Sequence, residues 1–455
     1  MIRDRAFYRN ILRLSLPAAF QALMSLVVVM ADNVMVASLD PLGLSLAAVS
    51  QSNAVTNFVN ASLTGLAGGG VVLVAQYWGK RDMERIKPVC ATIVTACLGL
   101  ALVVSLLVLM FPSYVLRLVI SGKEREITAL ALQYLPVLCL SYLPFALTAA
   151  MIGMLRGVEV VRVTLYATAV SLVTNITLNY ILIFGKLGLP ALGVRGAAIA
   201  TVLARLIEAA VVANYLFRRQ KALPLRPRDL TRHRRWAWQD YARYGLPVGL
   251  TDAQWALVGM LKMVIIGQMG RMMINAVAVT DMLFNLGTLF TFALAGGAAV
   301  VVGKAVGAGD YTLVRAYSRT IQVMFLLIGL VMSLVVFLLR WPFIGLYSLD
   351  AQTAALAATM VAICAPTLIG TTYHASCFVG INRGAGDSRF VMMVDMICGW
   401  LVVLPLAALS AFVLHLPLHW IYFMTRIDQT FKWLIAWLRL RGNKWIHNVT
   451  REAAP

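Results

Sequence analysis

A carboxylate inside a long apolar stretch is the first residue of this sequence that could do chemistry. Asp32 lies within residues 11–37, after Pro17 and between Met30 and Met35, with no Lys or Arg between Arg13 and Lys80. A charge at the centre of a membrane helix costs at least about 2.5 to 3.5 kcal/mol on insertion scales, so one that is kept is by default a functional candidate. Desolvation favours the neutral form of a carboxyl group. A group that binds a proton or Na⁺ on one side of a membrane and releases it on the other can couple ion flow to transport; the competing role is a structural hydrogen bond. Asn175 and Asn179 stand i, i+4 within 163–184 and so share a helix face. Two carboxamides there can bond a carboxyl group or offer oxygens to a hard cation, or else pack as polar groups between helices. Thr201, in the run 192–217, is a further candidate hydroxyl. Pro17 removes a backbone donor and kinks a helix, either as a bend used between states or as a passive kink.

The later half offers a different set. Lys262 stands in the middle of 245–269, with Asp252 before it, and Asp281, His374 and Asp395 fall in the runs 274–303, 353–380 and 390–413. Lys262 is either a fixed or titrating charge facing open space, or half of an ion pair with an acid such as Asp281 or Asp395. If it faces open space, anionic or zwitterionic ligands fit better than purely cationic ones. His374 could relay protons near neutral pH, although a single His in an apolar run also serves as a hydrogen-bonded packing residue. Arg205 with Glu208 and Asp428 with Lys432 have the spacing of local ion pairs. The cysteines at 90, 97, 139, 364, 377 and 398 lie in apolar runs without a CxxC pair, which favours packing over zinc or disulfide chemistry; no metal site is expected. Gly68–Gly70 and Gly296–Gly297 lack a following GK[ST] and so read as close-packing or bending sites, not phosphate loops. The many methionines, Met260 and Met263 among them, give either adaptable ligand-facing walls or ordinary apolar surface.

Elements long enough to span a membrane must position these groups. Of 455 residues 61% are apolar and only 13% charged, against about 45 to 50% and about 25% in soluble domains, which excludes a soluble enzyme, a nucleic-acid-binding domain and a disordered chain. Apolar runs at about 11–37, 46–75, 89–112, 128–154, 163–184, 192–217, 245–269, 274–303, 320–340, 353–380, 390–413 and 418–438 predict twelve spanning helices. The 39 Lys and Arg, against 19 Asp and Glu, concentrate in alternate loops, which places both termini in the cytoplasm. The start, Met1–Arg9, has no cleavage site after an apolar region and is expected to be retained. The basic segment 218–243 reads as a cytoplasmic linker that meets anionic lipid rather than nucleic acid. The sequons at Asn60 and Asn448 fall in a span and in the basic tail and are discounted.

The chain also repeats. Arg13-Leu14-Ser15-Leu16-Pro17 returns as Arg243-Tyr244-Gly245-Leu246-Pro247; Val74, Gly79 and Asp82 return as Val302, Gly307 and Asp310; Arg156-Gly157 with Arg162 returns as Arg383-Gly384 with Arg389. Three landmarks in one order at an offset of 227 to 230 predict two pseudo-symmetric six-helix lobes: 1–217, the linker 218–243, 244–438, and a tail 439–455. Six is even, so the lobes share an orientation and are related by an axis along the membrane normal, with a cleft between them. At the offset of 230, the counterpart of Asp32 is Lys262.

The segments LRLSLPAAFQALMSLVVVMADNVMVA, VAQYWGKRD, NITLNYILIFG with LGVRGAAIATVLARLIE, VGKAVGAGD and RGAGDSR together resemble the multidrug and toxic compound extrusion (MATE) transporters over about residues 8 to 445. The resemblance implies a twelve-helix antiporter of the bacterial inner membrane, exporting organic compounds against protons or, second, Na⁺. It assigns Asp32 as the coupling acid and the Asn175–Asn179 pair as its partners, with Asn179 standing where some branches carry an acid. Acids that some branches use in the second lobe fall near Trp255 and Thr372, so coupling is expected in the first lobe; Asp252 and His374, close by, are the candidates for compensation. The expected partners are a small organic substrate and the lipid bilayer. No cofactor beyond the coupling ion and no nucleic acid is expected, and nothing requires more than a monomer. The rival reading in the same superfamily is a lipid-linked precursor flippase, which would want several Arg or Lys around a pyrophosphate; an embedded prenyl transferase would need Asp-rich metal motifs, which do not occur.

Overall fold

A computed structural model describes residues 2, 4–40, 44–117, 125–347 and 349–451. Lys123, the lysine of the 3–4 loop, and the end of the tail lie outside them. The described residues hold helices and connecting turns and no strand. In chain order these are α1 (Arg5–Ala37), α2 (Leu44–Gly79), α3 (Met83–Met110), α4 (Arg125–Gly157), α5 (Arg162–Phe184), α6 (Gly193–Arg219), α7 (Arg235–Gly267), α8 (Arg271–Gly307), α9 (Tyr311–Ile344), α10 (Ala351–Cys364 with Thr367–Asn382), α11 (Ser388–Phe412) and the broken α12 (Leu418–Met424 and Lys432–Arg441). Ten of these are each long and apolar enough to cross a membrane; α10 is bent by 53° just before Thr367, where Pro366 supplies no backbone donor. The helix α12 is interrupted over Thr425–Phe431, the stretch that carries Arg426 and Asp428. α7 already begins at Arg235, so the end of the basic segment is helical.

Helix starts follow from side-chain caps. The Asp40 carboxylate accepts from the backbone N–H of Leu44 (2.8 Å) and Ser45 (2.8 Å) at α2. Asp82 accepts from Arg85 N at α3, Asp310 from Leu313 N at α9 and Asp350 from Thr353 N at α10. Each satisfies an amide that the first turn leaves unpaired. Asp82 and Asp310 are the repeat-related pair, so the repeat holds at the level of a hydrogen bond. Outward faces are apolar, for example Leu327, Val331, Leu334 and Leu338 on α9, as surface in contact with lipid must be.

Packing divides the chain into two compact units. One holds Met1–Leu16, Ala75–Arg81 and Gln254–Pro455, the other Pro17–Val74 and Asp82–Ala253. Helices α1, α2 and α7 therefore each pass from one unit to the other partway along, and α1 does so between Leu16 and Pro17. Within the first unit the ends of α2 and α8 cross at repeat-related glycines. A methyl group on Gly79 would overlap the carbonyl oxygen of Lys304, and one on Gly307 that of Gln76, so only glycine lets these backbones meet. In the second unit Val36, Val49, Tyr134, Leu138, Ile183 and Ala198 form an apolar cluster. In the first, Met273, Val277, Phe284, Met360 and Leu368 belong to a larger one.

Candidate functional site

The helices α1, α5 and α6 bring the first-half candidates together beside the Val36–Ile183–Ala198 cluster. The i, i+4 spacing on α5 points both carboxamides the same way, and packing buries Asn175 to 2% and Asn179 to 0% exposure. Asn179 Nδ2 donates to Asp32 Oδ1 and also to Asn175 Oδ1 at 3.2 Å. Asn175 Nδ2 donates to Thr201 Oγ1 at 3.4 Å, whose hydroxyl donates back to Ala197 O at 3.0 Å. A hydrogen-bond chain therefore links the Asp32 carboxylate across α5 to the backbone of α6, with donation running outward from Asn179 to both ends. Asn179 Oδ1 is buried without a partner.

Among the described residues no cation pairs with Asp32. Arg205 acts on it at longer range, but its guanidinium bonds Glu208 Oε2 at 2.7 Å and lies over the Phe145 ring, as the i, i+3 spacing predicted. Glu208 also accepts from Thr168 Oγ1 at 3.3 Å. Tyr134 of α4 is close enough to interact electrostatically with Asp32, and its hydroxyl donates to Asn53 Oδ1 on α2 at 3.4 Å. The carboxyl group is thus surrounded by neutral hydrogen-bonding groups.

The second-half candidates are differently placed. Asp281 is taken by Arg426, Nη2 to Oδ1 at 2.9 Å, and by the Tyr422 hydroxyl at 2.6 Å. Asp395 is taken by Lys432, 2.7 Å from its Oδ1. Lys432 also meets Asp428 Oδ2 at 3.1 Å and lies over the Trp255 ring. Neither acid expected as a partner of Lys262 is therefore bonded to it. The Lys262 ammonium faces the same Trp255 ring at 5.9 Å. His374 is packed against Phe378 with Nδ1 3.0 Å from Gly370 O, the arrangement of a hydrogen-bonded packing histidine. Thr372 is buried with its hydroxyl unpartnered. Asp252 belongs to the other unit and lies against Gly65 of α2. All six cysteines are buried free thiols.

Two further clusters went unread in the sequence. The Arg426–Asp281–Tyr422 group joins residues about 140 positions apart, which only a charge census inside the spans could have hinted at. The tail is the other. Gln76 on α2 is fully buried and donates to Gly384 O (3.1 Å) and His447 O (3.2 Å) while accepting from Val449 N (2.8 Å). Arg439 forms a two-point ion pair with Asp387 at 2.8 and 3.0 Å, and Trp445 is buried beneath the tail.

Spanning helices with a buried acid on a carboxamide relay, and with ion pairs sealed inside apolar surroundings, define a polytopic helical transport protein. The family model described as MatE matches residues 17–181 and 247–430, and the chain belongs to that family. The probable multidrug resistance protein NorM of Thermotoga maritima is 24% identical over 437 residues, covering 96% of this chain and 93% of its own. The NorM protein of Rhizobium meliloti is 27% identical over 423 residues, covering 90% and 87%. A crystal structure of a MATE protein in complex with MaL6 superposes with a TM-score of 0.85 at 21% identity over 95% of both chains. A MOP superfamily transporter of Pyrococcus furiosus, described as having a binding pocket of reversed polarity that suggests a different function, matches with a TM-score of 0.85 at 23% identity over 95% of this chain and 94% of its own. The twelve-helix, two-lobe architecture is that of MATE transporters, and the bacterial relatives mark a multi-pass inner-membrane protein.

Proposed function

We propose that this protein is a secondary antiporter of the bacterial cytoplasmic membrane, with both termini in the cytoplasm. It exports small organic compounds in exchange for protons, with Asp32 as the coupling group and Asn175, Asn179 and Thr201 as its partners. The observation that carries the reading is the hydrogen-bond chain from Asp32 to α6, built on neutral groups. An ionised Asp32 accepts from Asn179 Nδ2. When the acid takes up a proton it gains an O–H donor while its carbonyl oxygen still accepts; turning the Asn179 carboxamide over presents to that donor Oδ1, the oxygen that is otherwise buried without a partner. That turn takes the Nδ2 donor away from Asn175 Oδ1, so one proton re-sorts the contacts between α1, α5 and α6. Pro17 stands where α1 passes from one compact unit to the other, which supports its use as the point of bending.

In the cycle, substrate binds with the protein open to the cytoplasm, the lobes rock outward, protonation of Asp32 from outside favours substrate release, and proton release inside resets the carrier. Flipping of a lipid-linked pyrophosphate is less well supported, because Arg205, Arg426 and Lys432 are all committed to carboxylates. Export of fluorescent organic ions from proteoliposomes, under a pH gradient or a Na⁺ gradient imposed separately, tests the proposal. Uphill export is expected to follow the pH gradient and to be lost in Asp32→Asn. Export that follows only the Na⁺ gradient would replace the proton by Na⁺ in this scheme, and gradient-dependent export by the variant would end it.

A further inference from the structure

The second half holds a cation whose hydrogen bonds are unspent. Lys262 lies on the last turns of α7, which ends at Gly267, and its residue is half-buried rather than sealed. Among the described residues no carboxylate comes within ion-pair distance of it, and no side chain or backbone oxygen accepts from its ammonium. The two acids it could have used are occupied by Arg426 and Lys432. A lysine ammonium has three donors, and keeping such a charge partly buried with no acceptor for them is costly.

Lys432 is shared by two carboxylates, Asp395 and Asp428, so that group carries one excess negative charge. Its Asp428 acts on Lys262 at a distance. Arg426 and Lys432 act on it in the opposite sense and Asp281 in the same sense as Asp428, so charges of both signs reach Lys262 at range while its hydrogen-bonding shell is left empty. A cation with unspent donors, set among acids that other cations already hold, is the arrangement of a receptor for an anion. The half-buried Trp255 ring, already under Lys432, stands 5.9 Å from the ammonium and gives the carrier of that anion an aromatic edge to pack on. The repeat adds a second, independent observation: Lys262 occupies the place in the second half that Asp32 occupies in the first, so the pair of equivalent positions is an acid and a base.

We propose that Lys262, with Trp255, is a substrate-binding site for an organic carboxylate, so that the exported compounds are aromatic or amphipathic anions or zwitterions. The proposal names the substrate class within the transporter reading and rests on it for its biological sense, but binding itself needs no ion gradient. The carboxylate would accept from the Lys262 ammonium, and the apolar body of the ligand would lie along Trp255 and the apolar wall of α7. Export of an anion against entering protons is electrically feasible, since the exchange is set by the ion gradients and not by the sign of the substrate.

The test is equilibrium binding to the purified full-length protein of three matched probes: naphthylacetate, its methyl ester and naphthylethylamine. Wild type is expected to prefer the carboxylate over both others by roughly tenfold or more, the range of one charge-assisted hydrogen bond out of water. Lys262→Gln should remove that preference and Lys262→Arg should keep most of it; the arginine variant shows that loss in the glutamine variant is not misfolding. Equal binding of acid and ester, preference for the amine, no saturable binding of the carboxylate, or an unchanged preference in Lys262→Gln would each overturn the proposal. The two readings fail separately. Gradient-driven export of a protein that prefers the amine leaves the antiporter and removes this site, whereas carboxylate binding without gradient-driven flux does the reverse.

Discussion

Replacing Lys432 by Met probes the internal charge network at its most exacting point. The ammonium lies 2.7 Å from Asp395 Oδ1, with side-chain exposures of 1% and 8%. It lies 3.1 Å from Asp428 Oδ2, at 1% exposure on both sides. Methionine keeps most of the length and the packing on Trp255 but removes the cation both carboxylates share. Removing one partner of a buried pair costs about 3 to 5 kcal/mol, because the charge left behind has neither water nor a counter-ion. Here two charges are left. Asp428 retains one donor, Gln429 Nε2 at 2.8 Å, and uptake of a proton by either acid caps the penalty, so we take the same range. At about 2 °C per kcal/mol for a large chain, the Lys432→Met protein should melt about 6 to 10 °C below wild type in detergent, followed by intrinsic fluorescence. Adding Asp395→Asn and Asp428→Asn removes the stranded charges and should recover most of the loss. A single variant that melts within about 2 °C of wild type, or a triple variant no more stable than the single, would refute the reasoning.

Three further perturbations test other parts of the fold. Gln76→Leu strands three buried backbone groups that Gln76 now satisfies; at about 1 kcal/mol per bond it should cost about 2 to 4 kcal/mol and make the tail beyond Gly442 cleave faster under limited proteolysis, and an unchanged cleavage rate would count against the strap. Gly79→Ala and Gly307→Ala each drive a methyl group into a carbonyl of the other helix, so each should cost at least about 1 to 3 kcal/mol and lower the yield of monodisperse protein, whereas Gly188→Ala, whose surroundings are open, should do so only through its backbone conformation. The Asp310 carboxyl is held below its usual range by the Leu313 amide and the Thr312 hydroxyl. A lowered folded-state pKa contributes stability above the unfolded value and loses it as pH falls through the folded one, so any advantage of wild type over Asp310→Asn at neutral pH should vanish on acidification; an advantage that grows in acid would reverse the sign.

How much of this was legible depends on whether a signal is local or distant. Span number came from apolar runs and the repeat from three short landmarks, and the structure gives those landmarks physical work: Asp82 and Asp310 both cap helices, and Gly79 and Gly307 mark one crossing. The Asn175–Asn179 face followed from helical spacing alone, and Asp32 could be placed opposite it because a lone acid in an apolar run needs polar company. The local pairs Arg205–Glu208 and Asp428–Lys432 were readable for the same reason. Long-range partners were not. Nothing in sequence spacing tells whether Asp281 belongs to Lys262 or to Arg426, since both are cations in spans far along the chain, and the choice is made by how α8 and α12 pack. The break in α12 was missed although Thr425–Phe431 puts Arg426, Asp428 and Gln429 between apolar flanks, because the i, i+4 spacing of Asp428 and Lys432 reads as unbroken helix. The tail gave no sign of order either, because the bonds that anchor it go to Gln76 and to the backbone of Ala385, both far away in the sequence.

The central claim is that Asp32 carries the coupling proton, and lumenal pH is its most direct witness. Proteoliposomes loaded with a pH-sensitive dye and given a gradient of a transported probe, with Na⁺ absent on both sides, should show probe movement accompanied by opposing proton movement in wild type. The Asp32→Asn protein, verified as monodisperse, should move no protons in response to the probe, because a carboxamide offers no titrating group in this place. Probe-driven proton movement of undiminished stoichiometry in that variant would contradict the account.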